Sequence, residues 1–149
     1  VLSGEAKRHK DYVFGIMTTR GINNGTEAFA IRSVRDKRYK LILNLNHESK
    51  FTNACTKSPM FQSMIAKAKS GDATAKRLVH AYHHRPAVEL FDMKSDPLEM
   101  ANLAGQSDTQ KIEMRLRQKL AAWMKAQGDQ GVETELKARE RQGRGRKRK

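Results

Sequence analysis

Cysteine, proline and aromatic residues are all scarce in this sequence. Its 149 residues include one cysteine, Cys55, three prolines and 6% aromatic residues. One cysteine excludes an internal disulfide and any zinc site built on several cysteines. Long apolar runs are lacking as well, since stretches such as residues 41–43 are only a few residues long, and this excludes a membrane-spanning helix. The hydrophobic content of 38% fits the core of one ordinary domain.

Acidic residues are too few to balance the basic ones. Thirty Lys and Arg against sixteen Asp and Glu give a net charge of +14. Residues 132–149 carry +5 of this charge and residues 1–131 carry +9, while residues 142–149 have almost nothing apolar to bury. We therefore expect one domain at residues 1–131 and a basic, disordered tail at residues 132–149. The charge favours a polyanionic partner such as nucleic acid, acidic lipid or a sulfated glycan.

A complete catalytic or metal-binding set is also missing. His80 and His84 have the spacing of one helix face, but no third ligand accompanies them. Cys55 has no histidine at a fixed local spacing, which favours a structural thiol over a nucleophile. Glycine-rich phosphate-binding motifs are absent. We therefore expect no catalytic residue and no metal ligand in this chain.

Four short apolar segments predict β-strands. Asp36 and Lys37 form a tight polar turn between the second and third segments, which predicts that these two strands pair as a hairpin. The four segments lie at residues 12–16, 29–34, 38–44 and 88–92.

Two helices are predicted between the third and fourth strands. Ser58 and Pro59 are an N-cap and first-turn pair, and Gly71 ends the helix that they begin. Asp72 caps the second helix, which ends before Pro86.

A third, longer helix is predicted after Ser107. Ser107 and Gln110 have the spacing of a capping box, and the helix ends near Gly128. Antiparallel strands combined with later helices predict an α+β fold. The apolar stripe of this helix consists of Ile112, Leu116, Leu120, Trp123 and Met124.

Residues 89–103 carry a specific motif, Glu-Leu-Phe-Asp-Met-Lys-Ser-Asp-Pro-Leu-Glu-Met-Ala-Asn-Leu. Asp96 is expected to cap a helical turn that Pro97 begins, and Glu99 to reach back to its start, while Leu103 packs beneath. Such a device ends a strand and redirects the chain. The motif resembles the signature Glu-Leu-Tyr-Asp-x-x-x-Asp-Pro-x-Glu-x-x-Asn-Leu near the carboxyl end of type I sulfatases.

Further segments agree with this resemblance in the same order along the chain. They are similar to the branch of the heparan N-sulfatases (sulfamidases), and the resemblance covers residues 5–127 but not the basic tail. The segments lie at residues 11–21, 31–42, 44–46, 58–61 and 85–92.

The resemblance implies a carboxyl-terminal accessory domain. Type I sulfatases hydrolyse sulfate esters or sulfamates with a formylglycine, made from Cys or Ser in a Cys/Ser-x-Pro-Ser/Thr-Arg motif, and with a calcium ion. Both lie in the large amino-terminal domain. Here Cys55 is followed by Thr-Lys-Ser, and the paired Asp and Asn residues of the metal site are absent. We expect an inactive fragment whose partner is the catalytic domain of the same parent chain, a periplasmic or secreted hydrolase.

The resemblance also implies an architecture and a substrate-facing loop. In such enzymes the smaller domain has a four-stranded antiparallel sheet packed against a long carboxyl-terminal helix, with additional short helices. Its loops complete one wall of the cleft for a sulfated saccharide. The loop at residues 16–26 is the candidate wall, with Thr18, Thr19 and Arg20 as substrate-binding residues. Arg20 suits a bidentate contact to sulfate or uronate, although related enzymes often have a histidine where Met17 stands. An ordinary loop with a solvated Arg20 is the alternative.

A second function of a different class is a basic module that binds nucleic acid or a sulfated glycan through residues 132–149. This hypothesis rests on the charge alone, because the basic and aromatic residues do not interleave as in single-strand binders. The sequence leaves open the sugar, the choice between O- and N-sulfate, the oligomeric state and the ligand of the tail.

Overall fold

The computed structural model describes residue 4 and residues 10–18 and 29–137. The four strands and the first three helices follow one another as the sequence predicts, with two short 3-10 turns at Ala54–Lys57 and Ser107–Thr109 and an additional short helix near the end of the described chain. The strands are β1 (Val13–Met17), β2 (Ile31–Arg35), β3 (Tyr39–Asn44) and β4 (Val88–Asp92), and the helices are α1 (Pro59–Lys69), α2 (Ala73–His83), α3 (Gln110–Ala126) and α4 (Val132–Leu136).

The four strands form one antiparallel sheet in the order β1-β2-β3-β4. The predicted β2–β3 hairpin is confirmed, with Arg35 opposite Lys40. Asp36 shapes its turn, because one carboxylate oxygen accepts hydrogen bonds from the backbone N–H groups of Arg38 at 2.8 Å and Tyr39 at 2.7 Å. The α+β fold with a four-stranded antiparallel sheet and a long helix is therefore confirmed.

Helix α3 covers one face of this sheet with its predicted apolar stripe. The ring of Trp123 stacks on Phe14 of β1, with ring centroids 4.9 Å apart and planes inclined by 2°. Partly buried Ile112 and Met124 pack around the centre of the contact. Burial of these side chains is the main force that holds helix to sheet. The fully buried centre consists of Val34, Leu41, Leu90, Leu116 and Leu120.

Helices α1 and α2 form an antiparallel hairpin over a smaller aromatic cluster. The ring of Phe51 lies 5.0 Å from that of Phe29 and 5.7 Å from that of Tyr82, and Phe61 lies 4.8 Å from Tyr82. The buried His83 contributes Nδ1, which lies 2.8 Å from the carbonyl oxygen of Phe51. The base of the hairpin is thereby fixed beside Phe29, which precedes β2.

Two of the three predicted helix starts have the expected caps. The hydroxyl of Ser58 accepts a hydrogen bond from the N–H of Phe61 at 3.2 Å, and the carboxylate of Asp72 accepts one from Ala75 at 2.8 Å. The prediction of a capping box at Ser107 is wrong. Its hydroxyl lies 3.2 Å from the carboxylate of Asp108, and α3 begins after a 3-10 turn without a side-chain cap.

The motif at residues 89–103, the signature segment, redirects the chain after β4 as expected, but through hydrogen bonds that differ from the predicted ones. A carboxylate oxygen of Asp96 accepts a hydrogen bond from the N–H of Ala101 at 2.8 Å. Pro97 begins a turn rather than a helix, and Glu99 has φ = 56°. The prediction that Glu99 reaches back to the start of a helical turn is therefore wrong, since its carboxylate binds the ammonium group of Lys40 at 2.8 Å.

Asn102 of the signature segment joins that turn to β4. Its side-chain oxygen accepts hydrogen bonds from the N–H groups of Leu90 and Ala104, both at 2.9 Å, and its side-chain nitrogen donates to the carbonyl of Val88 at 3.0 Å. Leu103 is partly buried against the core, as predicted. The side-chain amide of Asn102 therefore forms hydrogen bonds with backbone groups along the outer edge of β4.

The ordered part of the chain continues beyond the boundary expected at Gly131. Residues 132–136 form α4, and Glu135 is buried, so the expectation of a disordered tail from residue 132 is corrected for this stretch. The remainder of the expected tail, residues 138–149, lies outside the described residues. None of the described helices combines the length and the apolar content that crossing a bilayer requires.

Replacing Leu120 by Ala is expected to lower the free energy of unfolding by about 2–5 kcal/mol, because Leu120 is fully buried between α3 and the sheet. Urea denaturation followed by circular dichroism measures this change. Met114→Ala is the matched control on the same helix, since Met114 is 53% exposed, and it should change stability by less than about 0.5 kcal/mol. Equal losses in the two variants would contradict the assignment of the core.

Candidate functional site

The candidate substrate-facing loop leaves and re-enters the sheet at one end. Met17 at the end of β1 pairs with Ile31 at the start of β2, so the chain between them connects two neighbouring strands. Thr18 is described and half-buried beside this pair, whereas Thr19 and Arg20 lie outside the described residues. Ala30, at the returning end, is fully buried and its carbonyl accepts a hydrogen bond from the N–H of Leu45 at 2.9 Å.

A buried arginine fixes this end of the sheet. Arg32 is 1% exposed, and its guanidinium donates to the carbonyl oxygens of Ile31 at 3.1 Å and Met17 at 3.4 Å. The same group binds both carboxylate oxygens of Asp129, at 2.5 and 3.3 Å, and one oxygen of Glu135 at 2.8 Å. Guanidinium has five N–H donors, so every donor of Arg32 has an acceptor.

The charges of this network stabilise one another. Burial disfavours the charged guanidinium, but the hydrogen bonds and negative charges of Asp129 and Glu135 outweigh it and raise the pKa of Arg32. Burial also acts to raise the pKa of Asp129, yet the bond to Arg32 and a bond from the backbone N–H of Gly131 leave that pKa lowered. Arg32 and Asp129 are therefore both charged at neutral pH.

The turn after α3 presents the two carboxylates to Arg32. Asp129 accepts a hydrogen bond from the N–H of Gly131 at 2.9 Å, and the hydroxyl of Thr134 accepts one from Gln130 at 2.8 Å. Gly131 has φ = 69°, a conformation that a side chain would strain, and it lets the chain turn directly into α4. Helix α4 then places Glu135 against Arg32.

Sequence reasoning missed this network because its members are 97 and 103 residues apart along the chain. One signal was present, since Arg32 and Val34 are two residues apart in a strand and therefore share its buried face. A charge at such a position requires a buried partner.

A second polar cluster lies at the opposite end of the sheet, by the β2–β3 turn. It lines a cleft of about 400 Å³. Arg115 of α3 donates to Asp36 at 2.7 Å and to the hydroxyl of Tyr12 at 3.2 Å. Burial acts to raise the pKa of Asp36, but hydrogen bonds from two backbone N–H groups and from Arg115 leave it lowered. The ion pair between Arg115 and Asp36 therefore holds the β2–β3 turn to α3.

Asp92 of the signature segment makes a bidentate ion pair beside this cleft. Its carboxylate oxygens accept hydrogen bonds from Arg38, at 3.0 Å from Nε and 2.6 Å from Nη2. These bonds hold the pKa of Asp92 well below its ordinary range. Asp92 also accepts a bond from the N–H of Lys94 at 3.1 Å. The pair therefore secures the end of β4 and does not supply a free acid or base.

The two histidines and the cysteine that were considered as catalytic or metal-binding residues do not form a common site. The rings of His80 and His84 stack with centroids 4.7 Å apart on the exposed side of α2, and Cys55 is exposed. Within the part of the chain that the structure describes, no three His, Cys, Asp or Glu side chains converge to hold a metal ion. The described residues therefore do not fit a calcium site.

Replacing Arg32 by Met is expected to lower the free energy of unfolding by about 3–5 kcal/mol, because two carboxylates stay buried without their cation. Arg32→Lys should recover only part of this loss, since an ammonium group has three donors where guanidinium has five. Chemical denaturation of the purified chain gives both values. Arg35→Met is the matched control, an exposed arginine on the same strand, and a loss equal to that of Arg32→Met would contradict the network.

The network also predicts how stability depends on pH. Because the pKa of Asp129 is lower in the folded than in the unfolded chain, the unfolded chain binds more protons as the pH falls below about 4, and stability is lost there. Asp129→Asn should therefore differ most from the unsubstituted chain at pH 7, and the difference should shrink as the pH falls. Thermal unfolding between about pH 2.5 and pH 7 measures it, with the exposed Asp108→Asn as control. A difference that stays constant with pH would contradict the assignment.

Comparison with known proteins finds sulfatases. No family model matches the chain. Two ulvan-active sulfatases of Formosa agariphila are 35% identical over 129 residues and 34% identical over 106 residues, which are 87% and 69% of this chain but 24% and 18% of the relatives. The N-sulphoglucosamine sulphohydrolase of Homo sapiens is 33% identical over 102 residues, 66% of this chain and 20% of that protein.

The chain thus spans no more than about a quarter of the curated relatives that it matches. The matched share, the signature at residues 89–103 and the four-stranded sheet with its long helix agree with one another. The chain is a homologue of part of these sulfatases, and these observations are consistent with their carboxyl-terminal domain.

Proposed function

We propose that this chain is the accessory domain of a sulfatase that acts on a sulfated saccharide, and that its loop after β1 forms one wall of the substrate cleft. The names of the relatives support the substrate class, because they refer to ulvan and to N-sulphoglucosamine. The latter is by its chemistry a sulfated amino sugar. Hydrolysis of a sulfate ester or sulfamate is then the reaction of the parent enzyme.

The observation that carries the proposal is the anchoring of the loop. Both of its ends lie at one end of the sheet, where Arg32 binds the carbonyls of Met17 and Ile31. A loop held at a rigid base presents its side chains with less loss of conformational entropy on binding. Arg20 then contacts a sulfate or uronate oxygen pair through its planar guanidinium, and Thr18 and Thr19 supply hydroxyl donors beside it.

The reacting groups belong to the catalytic domain of the same parent chain. A formylglycine and a calcium ion are expected there. Exposed apolar side chains at both edges of the sheet supply contacts for that domain, since Val13 and Ile16 of β1 are 61% and 51% exposed, and Leu98 and Met100 after β4 are 79% and 58% exposed. The outer edge of β1, which no other described strand pairs with, adds backbone groups to the contacts on its side of the sheet. We place the parent enzyme in the periplasm or outside the cell, where saccharide polymers are met.

Replacing Arg20 by Ala in the full parent enzyme is expected to lower kcat/KM for a sulfated oligosaccharide by about tenfold to a hundredfold, because one charge-assisted hydrogen bond to an anion is lost. The change should fall mainly on KM, since Arg20 binds the saccharide and does not touch the reacting atoms. Release of inorganic sulfate measures both constants. Activity on 4-nitrophenyl sulfate, which is too small to reach the wall, should stay unchanged.

Arg35→Ala is the matched control for this experiment, because Arg35 is exposed at the opposite end of β2. Equal effects of the two variants, or no effect of Arg20→Ala on the oligosaccharide, would contradict the role of the loop. The 149-residue chain alone should release no sulfate from either substrate. Measurable turnover by that chain would contradict the assignment of the reacting groups to the absent domain.

A further inference from the structure

The helical hairpin of α1 and α2 carries a basic surface that the proposed cleft loop does not use. Residues 57–85 contain six Lys and Arg and one acidic residue, Asp72, so their net charge is +5 without the histidines. Asp72 is occupied as the cap of α2, where its carboxylate accepts the N–H of Ala75. The hairpin therefore carries an excess of positive charge, which the single carboxylate of Asp72 offsets only in part.

Four of the cations gather at the tip of the hairpin. Lys67 and Lys69 lie in the last turn of α1, and Lys76 and Arg77 lie in the first two turns of α2. Because the helices are antiparallel and joined by residues 70–72, these turns are neighbours. All four side chains are exposed.

The basic surface continues along the outer face of α2 toward the cleft loop. Lys76, His80 and His84 follow one another at intervals of four residues, and the stacked rings of the two histidines show that they share a face. This row extends about 12 Å along the helix axis. Arg85 follows it, with its guanidinium 4.8 Å above the ring of Phe51.

The base of the hairpin lies beside the residues that lead into β2. The ring of Phe51 is 5.0 Å from that of Phe29, two residues before β2. A polyanion on the outer face of α2 would therefore run toward the loop. The two surfaces can serve one extended ligand.

The cations at the tip outnumber the acidic residues there, since Asp72 is the one acidic residue among residues 57–85. Arg32, Arg38, Lys40, Arg115 and Arg117 all have carboxylate partners. Among the described residues no ion pair involves the four tip cations. Like charges that are held close together in excess of the counter-charges repel one another, and a polyanion would relieve this repulsion.

The exposed face of the hairpin has fewer large apolar side chains than a surface that binds a protein domain. The exposed large apolar side chains of the hairpin consist of Met60 alone among the described residues, in the first turn of α1 and away from the tip. The cores of protein interfaces are depleted in lysine and enriched in apolar and aromatic groups. A lysine-rich face without apolar side chains is therefore suited to a solvated polyanion.

We propose that the α1–α2 hairpin binds a sulfated polysaccharide chain and holds it beside the cleft loop. The choice of a sulfated saccharide rests on the proposed function, whereas the site itself rests on the charge and geometry of the hairpin. Sulfate groups meet Lys67, Lys69, Lys76 and Arg77 at the tip, and the chain follows the row on α2 toward Phe29. The basic residues 138–149 are not needed for this contact.

The experiment measures binding of heparin, a sulfated polysaccharide, to the 149-residue chain. The hairpin variant carries Gln at positions Lys67, Lys69, Lys76 and Arg77. Its Kd should rise by at least about tenfold at about 0.15 M salt, and the dependence of log Kd on log salt should become less steep, because fewer counterions are released. The charge-matched control carries Gln at the exposed Lys37, Lys94, Lys111 and Lys125, and its Kd should change by less than about twofold.

Deleting residues 138–149 distinguishes heparin binding by the hairpin from heparin binding by the basic end of the chain. The tenfold difference between the hairpin variant and the unsubstituted hairpin should persist in this shortened chain. If the difference disappears there, or if the control loses as much affinity as the hairpin variant, the proposal is wrong. Tighter hairpin-dependent binding of duplex DNA than of heparin would overturn the choice of a saccharide.

Lysine acetylation of the unsubstituted chain gives a readout that does not depend on how the variants fold. Heparin should protect Lys67, Lys69 and Lys76 more than Lys94 and Lys111, as read by mass spectrometry. Equal protection of both groups would contradict the site. These measurements involve no turnover, so their failure would leave the proposed role of Arg20 in a sulfatase untouched, and a failed Arg20 test would leave the binding data standing.

Discussion

The arrangement of the sheet, the turn after α3 and the cleft loop depends on one buried cation, Arg32. Removing a guanidinium and two carboxylates from water costs several kcal/mol per ion, and the cost is offset only when every donor finds a good acceptor. Here the acceptors come from three places, the end of β1, the turn at Asp129 and α4. Displacing any of the three would leave a buried charge or donor unsatisfied. The network therefore specifies one register of these elements, even where its net contribution to stability is small.

The signature segment has a comparable role at the other edge of the sheet, with a weaker set of interactions. Asp92 holds Arg38, Asp96 closes the turn onto Ala101, and Asn102 bonds to the backbone on both sides. Each residue has a partner inside the domain, which explains why the motif carries structure and not chemistry. Because the pKa of Asp92 is held far down, this carboxylate stays charged through the whole range in which proteins work.

Local patterns were enough to predict most elements of the fold. The alternation of apolar and polar residues predicted the strands, the capping residues Ser58 and Asp72 predicted the starts of their helices, and the spacing from Ile112 to Met124 predicted the buried stripe of α3.

The wrong predictions concern residues for which a distant partner competes with a local one. Glu99 has the spacing to reach back along a helical turn, but Lys40 across the sheet takes its carboxylate. Segment 132–149 has the composition of a tail, yet Glu135 is buried because Arg32 needs an acceptor. Thr18 marks the base of the predicted site, whereas Thr19 and Arg20 lie outside the described residues.

The effect of the net charge of +14 on ligand binding depends on where the basic residues lie in the fold. Five cations are bound to carboxylates and stabilise the fold, so they add nothing to attraction at a distance. The tip of the α1–α2 hairpin has no such partners in the described chain, and its field reaches a ligand within about one Debye length, roughly 8 Å at physiological salt. A polymer that carries many sulfates gains from each of these cations at once, whereas a monosaccharide gains from one. The same surface would therefore discriminate by ligand length, which a cleft that reads a single sugar cannot do.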